Sequence, residues 1–588
     1  MPPRKVRRTP IAEPRSQDGV APADPKSIAM FLGVLLLLLL PFVTRAFHID
    51  DPLFLWAADH IRSEPANPYN FAVNWYWFER PMSLVMENPP LASYYLALIR
   101  VVLGPGELAA HLAFAGVAIA TAYGVYLLAR RFCGHALLAA ALATLTPVFL
   151  VSSLTVMSDV LMLALWVFAV HLWVIGLDRH SHRAFIASAL LIALASFAKY
   201  FGIALLPLLL VYTAVRLKRA GWWLAYLAIP AIAVGLYEVA GRHLYGHGLI
   251  FNAAKYAVGT KVGFGRFTLS KVGVDLAFVG ACVASAVFFA HRLWSRRQLI
   301  AGGAIFAAVV SLLGASTHLG PFEMPTDPGA HWLLAAQFAF WLAAGVGLIA
   351  LALTDLNERR DADSLLLFLW LTGTFVFAGF VNWTMNGRTI LPIVVPAGIL
   401  IVRRLESRRA SGSKGARAAL TIVSPSLVAA AALAVAVAWA DSTFANVARD
   451  GAVQITKEFA GVHRLWFQGH WGFQYYMEQR GANAKAMDVN RWSLATSDSG
   501  NPWALVPGDV IAIPAMNTNF YGIPTEWYTP RRFLLLPSSR WIGTMNRQIG
   551  AGFYSDEFGP LPFAFGAMEP ERFVLLDVVK EVKGDIRK

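Results

Sequence analysis

Four acidic residues lie at the ends of apolar runs, where a carboxylate could act on a substrate beside a membrane. Asp50 and Asp51 directly follow the first long apolar run, in the sequence HIDDP. A charge beside hydrocarbon must find water, a cation or another partner, so an adjacent pair is costly to place there. Glu87 lies in MENPPL, and Asp159 lies in MSD at the head of another run. The alternative to a catalytic role is that the acids are solvated loop charges, or that Asp51 and Asp159 cap helices.

Two cations, like the four acids, lie at the ends of apolar runs. Lys199 falls in FAKYFG, between two apolar runs, and Arg388 opens a later run in NGRTILP. Lys and Arg concentrate on the cytoplasmic side of membrane proteins, and both residues depart from that rule once the runs are oriented. A lipid phosphate held at the interface would need such partners. The alternative is that both side chains snorkel to ordinary phospholipid head groups.

The elements that must position these residues are membrane spans. Of 588 residues, 57% are hydrophobic and 15% are charged, with a mean hydropathy of +0.53. A soluble chain of this length exposes more charge, so most of the protein must lie in lipid. The net charge of +14 comes from short basic clusters between apolar runs, which is typical of membrane topology and argues against nucleic-acid binding. Cys133 and Cys282 are predicted to be small buried hydrophobes.

About thirteen apolar runs are close to the ~20 residues that cross a bilayer. From a cytoplasmic N-terminus, every even loop carries basic residues, as at Arg130-Arg131 and Arg359-Arg360. This orientation places the four acids and the two cations on the outer face. The predicted runs are 28–47, 107–129, 136–152, 160–177, 184–198, 201–215, 222–240, 272–290, 298–316, 332–353, 364–381, 389–402 and 419–440.

The sequence divides into three predicted parts. Residues 1–27 are rich in Pro and Arg and predict a disordered cytoplasmic tail. Residues 28–440 predict a polytopic α-helical membrane domain, whose outer loop 48–106 is rich in aromatic residues and favours helices lying in the interface. Residues 441–588 predict a soluble outer α/β domain, with strands at 464–467, 509–513, 532–536 and 572–577.

An aromatic cluster in the last part has two interpretations. Its side chains could stack on a sugar, but the core of a small domain is the favoured reading. The cluster consists of Trp466, Trp471, Phe473, Tyr475 and Tyr476.

The ordered set of polar motifs resembles a known family. An acidic pair follows the first span, ENPPL lies in the first outer loop, MSD heads the fourth span, and FAKYFG and GRTILP follow. This looks like the polyprenyl-phosphate-sugar glycosyltransferases with the GT-C fold, specifically the protein O-mannosyltransferases and aminoarabinose transferases (glycosyltransferase families 39 and 83). The resemblance covers residues 28–402 and implies the GT-C fold with an outer C-terminal domain.

The resemblance implies roles for the acids. Asp50 matches the catalytic base of the family, and Asp51 occupies the neighbouring acidic position as a supporting residue or helix cap. Glu87 matches the acid of the first outer loop, and Asp159 matches the acid at the head of the fourth span. All four are therefore expected in the active site.

The resemblance also implies a phosphate site. Lys199 matches a lysine that contacts the lipid phosphate, and Arg388 is expected to stabilise the same phosphate. Asn88 departs from the family, since aminoarabinose transferases carry a lysine there, and this puts a donor of that type in doubt.

Some members of the family hold a divalent metal between the first-loop glutamate and a histidine of a later outer loop. Here the corresponding ligands would be Glu87 with His331 or His318. Carboxylate and imidazole suit zinc or a similar ion. A lone loop histidine is more often a surface residue, which is the alternative.

The expected function is inverting transfer of a sugar from a polyprenyl-phosphate donor to a lipid, glycan or protein acceptor. The protein is expected in the bacterial inner membrane as a multi-pass protein, with a cytoplasmic N-terminus and a periplasmic C-terminal domain. A lipid-linked saccharide flippase or transporter is the alternative from another class, and a saccharide polymerase or ligase would differ mainly in its acceptor. Transporters place charges near the bilayer midplane on broken helices, whereas these acids lie at helix ends.

Overall fold

The computed structural model describes residues 23–259, 268–410, 416–461, 464–480, 484–488 and 505–582, with side chains left undescribed from 409 to 424. The predicted N-terminal tail therefore lies mostly outside the described residues.

Most predicted spans are long apolar helices, because a chain in lipid must satisfy its backbone polar groups internally. One further span is a pair of helices, Ala136–Thr144 and Pro147–Ser153, bent by 68°. Pro147 cannot donate a backbone hydrogen bond, and the Thr146 hydroxyl accepts from the Phe149 amide to begin the second helix. Within the described ranges, nine helices pass the length and hydropathy requirement: Pro25–Phe42, Glu107–Phe132, Ser158–Arg179, Tyr200–Leu217, Trp223–Tyr245, Arg296–Gly314, Pro328–Arg359, Ala362–Val381 and Pro425–Glu458.

Three predicted runs form shorter or broken helices. The run at 184–198 is the helix His182–Ala198, and the run at 272–290 divides into Leu269–Cys282 and Ser285–Phe288. The run at 389–402 begins with the short helix Gly387–Ile390 and continues as Val394–Ala410. The polytopic helical class is therefore confirmed, and the total of thirteen depends on counting these three segments as spans.

Ion pairs at one end of the bundle agree with the predicted alternation of the helices. Arg131 lies 3.4 Å from Asp178 and 3.2 Å from Asp363, and Arg216 also contacts Asp178. These residues come from four different helices, at the ends that the basic loops predict to be cytoplasmic. The acids and cations singled out above meet at the other end, which we call the site end.

The segment between the first two spans forms local structure at the site end. It contains the helices Asp51–Ser63 and Leu91–Val102 and the antiparallel strands Ala72–Asn74 and Glu79–Pro81. A separate helix, Leu249–Gly259, and the two-residue strands His318–Leu319 and Phe322–Glu323 belong to later loops on this end.

A five-stranded sheet follows the last long helix. The central strands Leu465–Phe467 and Val510–Pro514 are parallel, and Leu465–Phe467 also pairs in parallel with Ala484–Ala486. Glu571–Val578 then pairs antiparallel with both Val510–Pro514 and Tyr528–Leu536. All four strands predicted for this region are confirmed.

The sheet region is continuous with the membrane helices. The last helix runs from Ala416 to Glu458, so it extends past residue 441, where the sequence predicts that the third domain begins. The aromatic cluster packs in the interior, since Trp466, Trp471, Phe473, Tyr475 and Tyr476 are all buried, and the core interpretation is confirmed. Cys133 and Cys282 are likewise buried and unpaired thiols.

Candidate active site

Asp50 and Asp51 are neighbours in sequence but have different surroundings. The Asp50 side chain is 28% exposed, and its Oδ2 accepts a hydrogen bond from Arg388 Nη2 at 2.8 Å. Asp51 is fully buried at the start of the helix Asp51–Ser63. Only Asp50 of this pair is therefore open to a substrate.

Asp51 joins two parts of the chain. Its Oδ2 accepts from the His48 amide at 2.8 Å and its Oδ1 from the Val156 amide at 2.9 Å. Burial raises the pKa of Asp51 to about 7, although Arg45 and the two amides act in the opposite direction. Its carboxylate does not cap the helix that it begins. The supporting role expected for Asp51 corresponds here to fixing residues 48 and 156 beside Asp50.

Replacing Asp51 with asparagine is expected to destabilise the protein by about 1–3 kcal/mol, because an amide offers only one oxygen to the two buried N–H groups. The midpoint of thermal unfolding in detergent measures this change. Glu64→Gln is the matched control, since it removes a 49% exposed carboxylate at the other end of the same helix. Equal unfolding midpoints for Asp51→Asn and the parent would contradict the assignment.

Asp159 and Lys199 form a close ion pair at the heads of two spans. Lys199 follows the helix His182–Ala198 in an extended conformation, at φ −150° and ψ 135°, and its Nζ lies 2.5 Å from Asp159 Oδ1. The turn needs Gly202, because a Cβ there would lie 2.4 Å from the carbonyl carbon of Ala195. The glycine of FAKYFG thus permits the close approach that directs Lys199 to Asp159.

Arg388 connects this pair to Asp50. Asn386 begins the short helix Gly387–Ile390 by accepting from the Thr389 amide at 2.9 Å, which places Arg388 in its first turn. Arg388 Nη1 contacts the Met157 sulfur and lies 3.9 Å from Asp159 Oδ2. The order Asp50, Arg388, Asp159, Lys199 is therefore a row of alternating charges, which we call the charge row.

The charge row has unused donors. Arg388 Nε is buried and has no hydrogen-bond partner among the described residues, and its Nη1 meets a thioether, which is a weak acceptor. Lys199 is 19% exposed at its side chain and carries three N–H groups. A phosphate oxygen is the acceptor that would suit both groups.

Glu87 forms no ion pair with the charge row and has one buried carboxylate oxygen. Its Oε1 accepts from Asn252 Nδ2 at 3.4 Å, and its Oε2 is buried without a hydrogen-bond partner in the described part of the chain. Burial raises the pKa of Glu87 to about 7. Tyr76 and Tyr256 are close enough to feel its charge and that of Asp50, so Glu87 borders the same site.

Stability should depend on pH through Glu87. A folded-state pKa near 7, against an ordinary value of 4.5, means that the folded protein holds the proton more tightly than the unfolded chain. The stabilisation that comes from protonated Glu87 is then fully present below about pH 4.5 and is lost as the pH rises through 7. The unfolding midpoint of Glu87→Gln, relative to the parent, is expected to rise from pH 5 to pH 8. Glu79→Gln changes an exposed carboxylate of the same loop and should show no such trend.

The predicted metal ligands do not form a set. Within the described ranges, no three His, Cys, Asp or Glu side chains gather in a way that could hold a metal ion. Both ring nitrogens of His331 lie against backbone carbonyls, Nδ1 at 3.1 Å from Pro325 O and Nε2 at 3.0 Å from Leu313 O. His318 is exposed and its Nδ1 meets the Thr317 hydroxyl. Among the described residues Glu87, His318 and His331 therefore do not form a metal site, because both ring nitrogens of His331 face carbonyls and no third ligand lies beside the others.

Several residues that adjoin the site were missed in the sequence. Tyr554 places its ring below Arg388, with 5.5 Å from the guanidinium carbon to the ring centroid. Its hydroxyl donates to Asp441 Oδ2 at 2.9 Å, and the same oxygen accepts from Arg45 Nη1 at 2.9 Å. Arg45 and Asp441 are charges at the ends of apolar runs, so the criterion that found Asp159 also applies to them. No comparable signal marks Tyr554.

Comparisons with known proteins bear on this site. The family model described as dolichyl-phosphate-mannose-protein mannosyltransferase matches residues 87–239, which include Glu87, Asp159 and Lys199. The resemblance inferred from the sequence is confirmed. The chain is a glycosyltransferase.

Solved structures of glycosyltransferases are similar over most of the chain. ArnT from Cupriavidus metallidurans, bound to undecaprenyl phosphate, is 15% identical, with a TM-score of 0.42 over 84% of this chain and 94% of that chain. AglB from Archaeoglobus fulgidus, an oligosaccharyltransferase in complex with an inhibitory peptide and a dolichol-phosphate, is 14% identical, with a TM-score of 0.46 over 83% of this chain and 69% of that one.

The arabinofuranosyltransferase AftD from Mycobacteria is 10% identical, with a TM-score of 0.41 over 95% of this chain and 40% of AftD. A search of curated proteins gave no match. The enzyme class of this glycosyltransferase therefore follows from the family model.

Proposed function

We propose that this glycosyltransferase moves a sugar from a polyprenyl-phosphate donor to an acceptor hydroxyl or amine, with inversion at the anomeric carbon. The charge row carries the proposal, because it sets one accessible carboxylate beside two cations with unused donors. The family model adds support, since its description names a lipid-phosphate sugar as donor.

Arg388 and Lys199 would hold the donor phosphate. Each now pairs with a carboxylate, Arg388 with Asp50 and Lys199 with Asp159, so the row is neutral before a substrate binds. A phosphate oxygen would accept hydrogen bonds from the free Nε of Arg388 and from a second N–H of Lys199. Negative charge grows on the phosphate as the sugar leaves, and fixed cations stabilise that charge most in the transition state.

Asp50 would act as the general base. The acceptor oxygen or nitrogen attacks the anomeric carbon, its proton passes to the Asp50 carboxylate, and the bond from that carbon to the phosphate oxygen breaks. The electron pair leaves with polyprenyl phosphate, and a single displacement inverts the sugar. Among the four acids Asp50 suits this role best, because Asp51 and Asp159 are buried and Glu87 forms no ion pair with the charge row.

The reaction would occur on the outer face of a bacterial inner membrane. This part of the proposal is supported by the basic loops, which favour a site end opposite the cytoplasm, with the N-terminus cytoplasmic and residues 441–588 outside. Neither the sugar nor the kind of acceptor follows from the charge row, so a lipid, a glycan and a protein all suit the proposal.

Donor consumption tests the proposal directly. Purified protein in nanodiscs is incubated with a panel of radiolabelled polyprenyl-phosphate sugars, and the release of polyprenyl phosphate is followed with acceptor lipids, glycans or peptides added in turn. Turnover is expected with at least one donor and is expected to be lost on Asp50→Asn. Absence of release from every donor would overturn the proposal.

A further inference from the structure

The loop that carries Arg388 is held by a distant segment of the chain. The Gly387 amide donates to Phe553 O at 2.7 Å, the Asp556 amide donates to Met385 O at 2.9 Å, and the Met385 amide donates to Asp556 Oδ1 at 3.1 Å. We call residues 553–556 the mount. Arg388 therefore takes its position from the C-terminal part of the molecule as well as from its own helix.

The contact between loop and mount is close. A Cβ on Gly387 would lie 2.7 Å from the Phe553 ring, so a larger residue there would have to displace that buried ring. Asp556 is fixed from the other side by Lys271, whose Nζ lies 2.9 Å from its Oδ2, and both side chains are buried. The mount is thus tied to the helix Leu269–Cys282 through this ion pair.

Tyr554 is the residue of the mount that reaches the guanidinium. It is 4% exposed, and its ring lies 5.5 Å from Arg388 Cζ while its hydroxyl donates to Asp441. Asp441 accepts in turn from Arg45 at 2.9 Å and from the Thr544 hydroxyl at 2.9 Å. The ring is therefore fixed at its far end by a buried network, and one face of Arg388 rests on it.

We propose that Tyr554 is a positioning residue of the reaction, which keeps the Arg388 guanidinium in the orientation that binds the donor phosphate. The inference rests on the proposed function of Arg388. A free arginine side chain populates many rotamers, and ordering it on binding costs affinity. An aromatic face that holds the planar group in advance removes part of that cost.

A double-mutant cycle separates positioning from general support of the fold. Tyr554→Leu is expected to reduce kcat/KM for the donor by about 3- to 30-fold, the range of a cation–π contact in a dry site. In an Arg388→Ala background the same change is expected to have no further effect, because its target is absent. Tyr554→Phe keeps the ring, so its kcat/KM should fall less than that of Tyr554→Leu. Tyr528→Leu, which removes a tyrosine ring from a strand of the C-terminal sheet, is the matched control and should retain parental kcat/KM.

The outcomes distinguish this inference from the proposed function. If Tyr554→Leu lowers kcat/KM equally in the parent and in the Arg388→Ala background, the positioning role is wrong. The phosphate site would still be supported in that case, provided that Arg388→Ala alone lowers kcat/KM. A parental kcat/KM for Arg388→Ala would overturn both. If Tyr554→Leu fails to accumulate, the cycle is measured with Tyr554→Met, which also removes the ring, and the same comparison of backgrounds decides.

Discussion

Replacing Asp50 with asparagine is expected to lower kcat by about 10²–10⁴-fold, the usual contribution of a positioned general base. The amide is the same size and can still accept from Arg388, whose Nη2 lies 2.8 Å from Asp50 Oδ2, but it cannot take a proton. Binding of the donor should change much less than kcat. The measurement is the initial rate of polyprenyl phosphate release across a range of donor concentrations.

Two further variants make the Asp50 result specific. Asp59→Asn makes the same chemical change on the same helix, at a carboxylate that pairs with Arg100, and should keep near-parental rates. Asp50→Glu keeps a base and should recover part of the rate. Turnover of Asp50→Asn within a few-fold of the parent would remove Asp50 as the base.

Replacing Arg388 with alanine is expected to lower kcat/KM by about 10²–10³-fold, comparable to the loss of one donor to an oxyanion. The variant removes the charge proposed to bind the donor phosphate and leaves Asp50 without its ion-pair partner. Arg388→Lys keeps the positive charge but lacks the planar set of N–H donors. It should therefore recover only a small part of the lost kcat/KM. Donor titrations that separate KM from kcat measure both effects.

A distant arginine supplies the control for Arg388. Arg404→Ala removes the same side chain from the helix Val394–Ala410, where it pairs with Glu358 at the opposite end from the site. Its expected effect on kcat/KM is less than about twofold, as for a partly exposed ion pair. Losses of equal size in Arg388→Ala and Arg404→Ala would point to damage to the fold in place of a phosphate site.

The convergence of Asp50, Asp159, Lys199 and Arg388 could be predicted from the sequence. A spanning helix fixes the depth in the membrane of the residue at its end, and the basic loops indicate which end of each helix is cytoplasmic. Few polar groups lie at each end, so opposite charges at the same depth are expected to pair. The strands of the C-terminal sheet were predictable for a similar reason, because alternating side chains and turn residues are local signals.

The different roles of Asp50 and Asp51 could not be derived in this way. They depend on the Val156 amide, which reaches Asp51 from another span, and on the path of the chain around residue 49. The contacts of His331 were not predictable for a related reason, since the carbonyls that meet its ring come from Pro325 in its own loop and from Leu313 at the end of the preceding helix. The support of Arg388 by Tyr554 depends on pairing between distant backbone segments, and sequence alone gives no register for such a pairing.

The mount also determines when during synthesis the loop that carries Arg388 gains its native hydrogen bonds. Thr384 and Ser555, which contact each other, are 171 positions apart, and the strands from Leu465–Phe467 to Tyr528–Leu536 are translated between them. The amides of Met385 and Gly387 therefore have no native partners while the ribosome is still translating the sheet region. A nascent chain that has already inserted the helices before the sheet still lacks the support for Arg388, so this side chain can take its final position only after residues 553–556 have been synthesised.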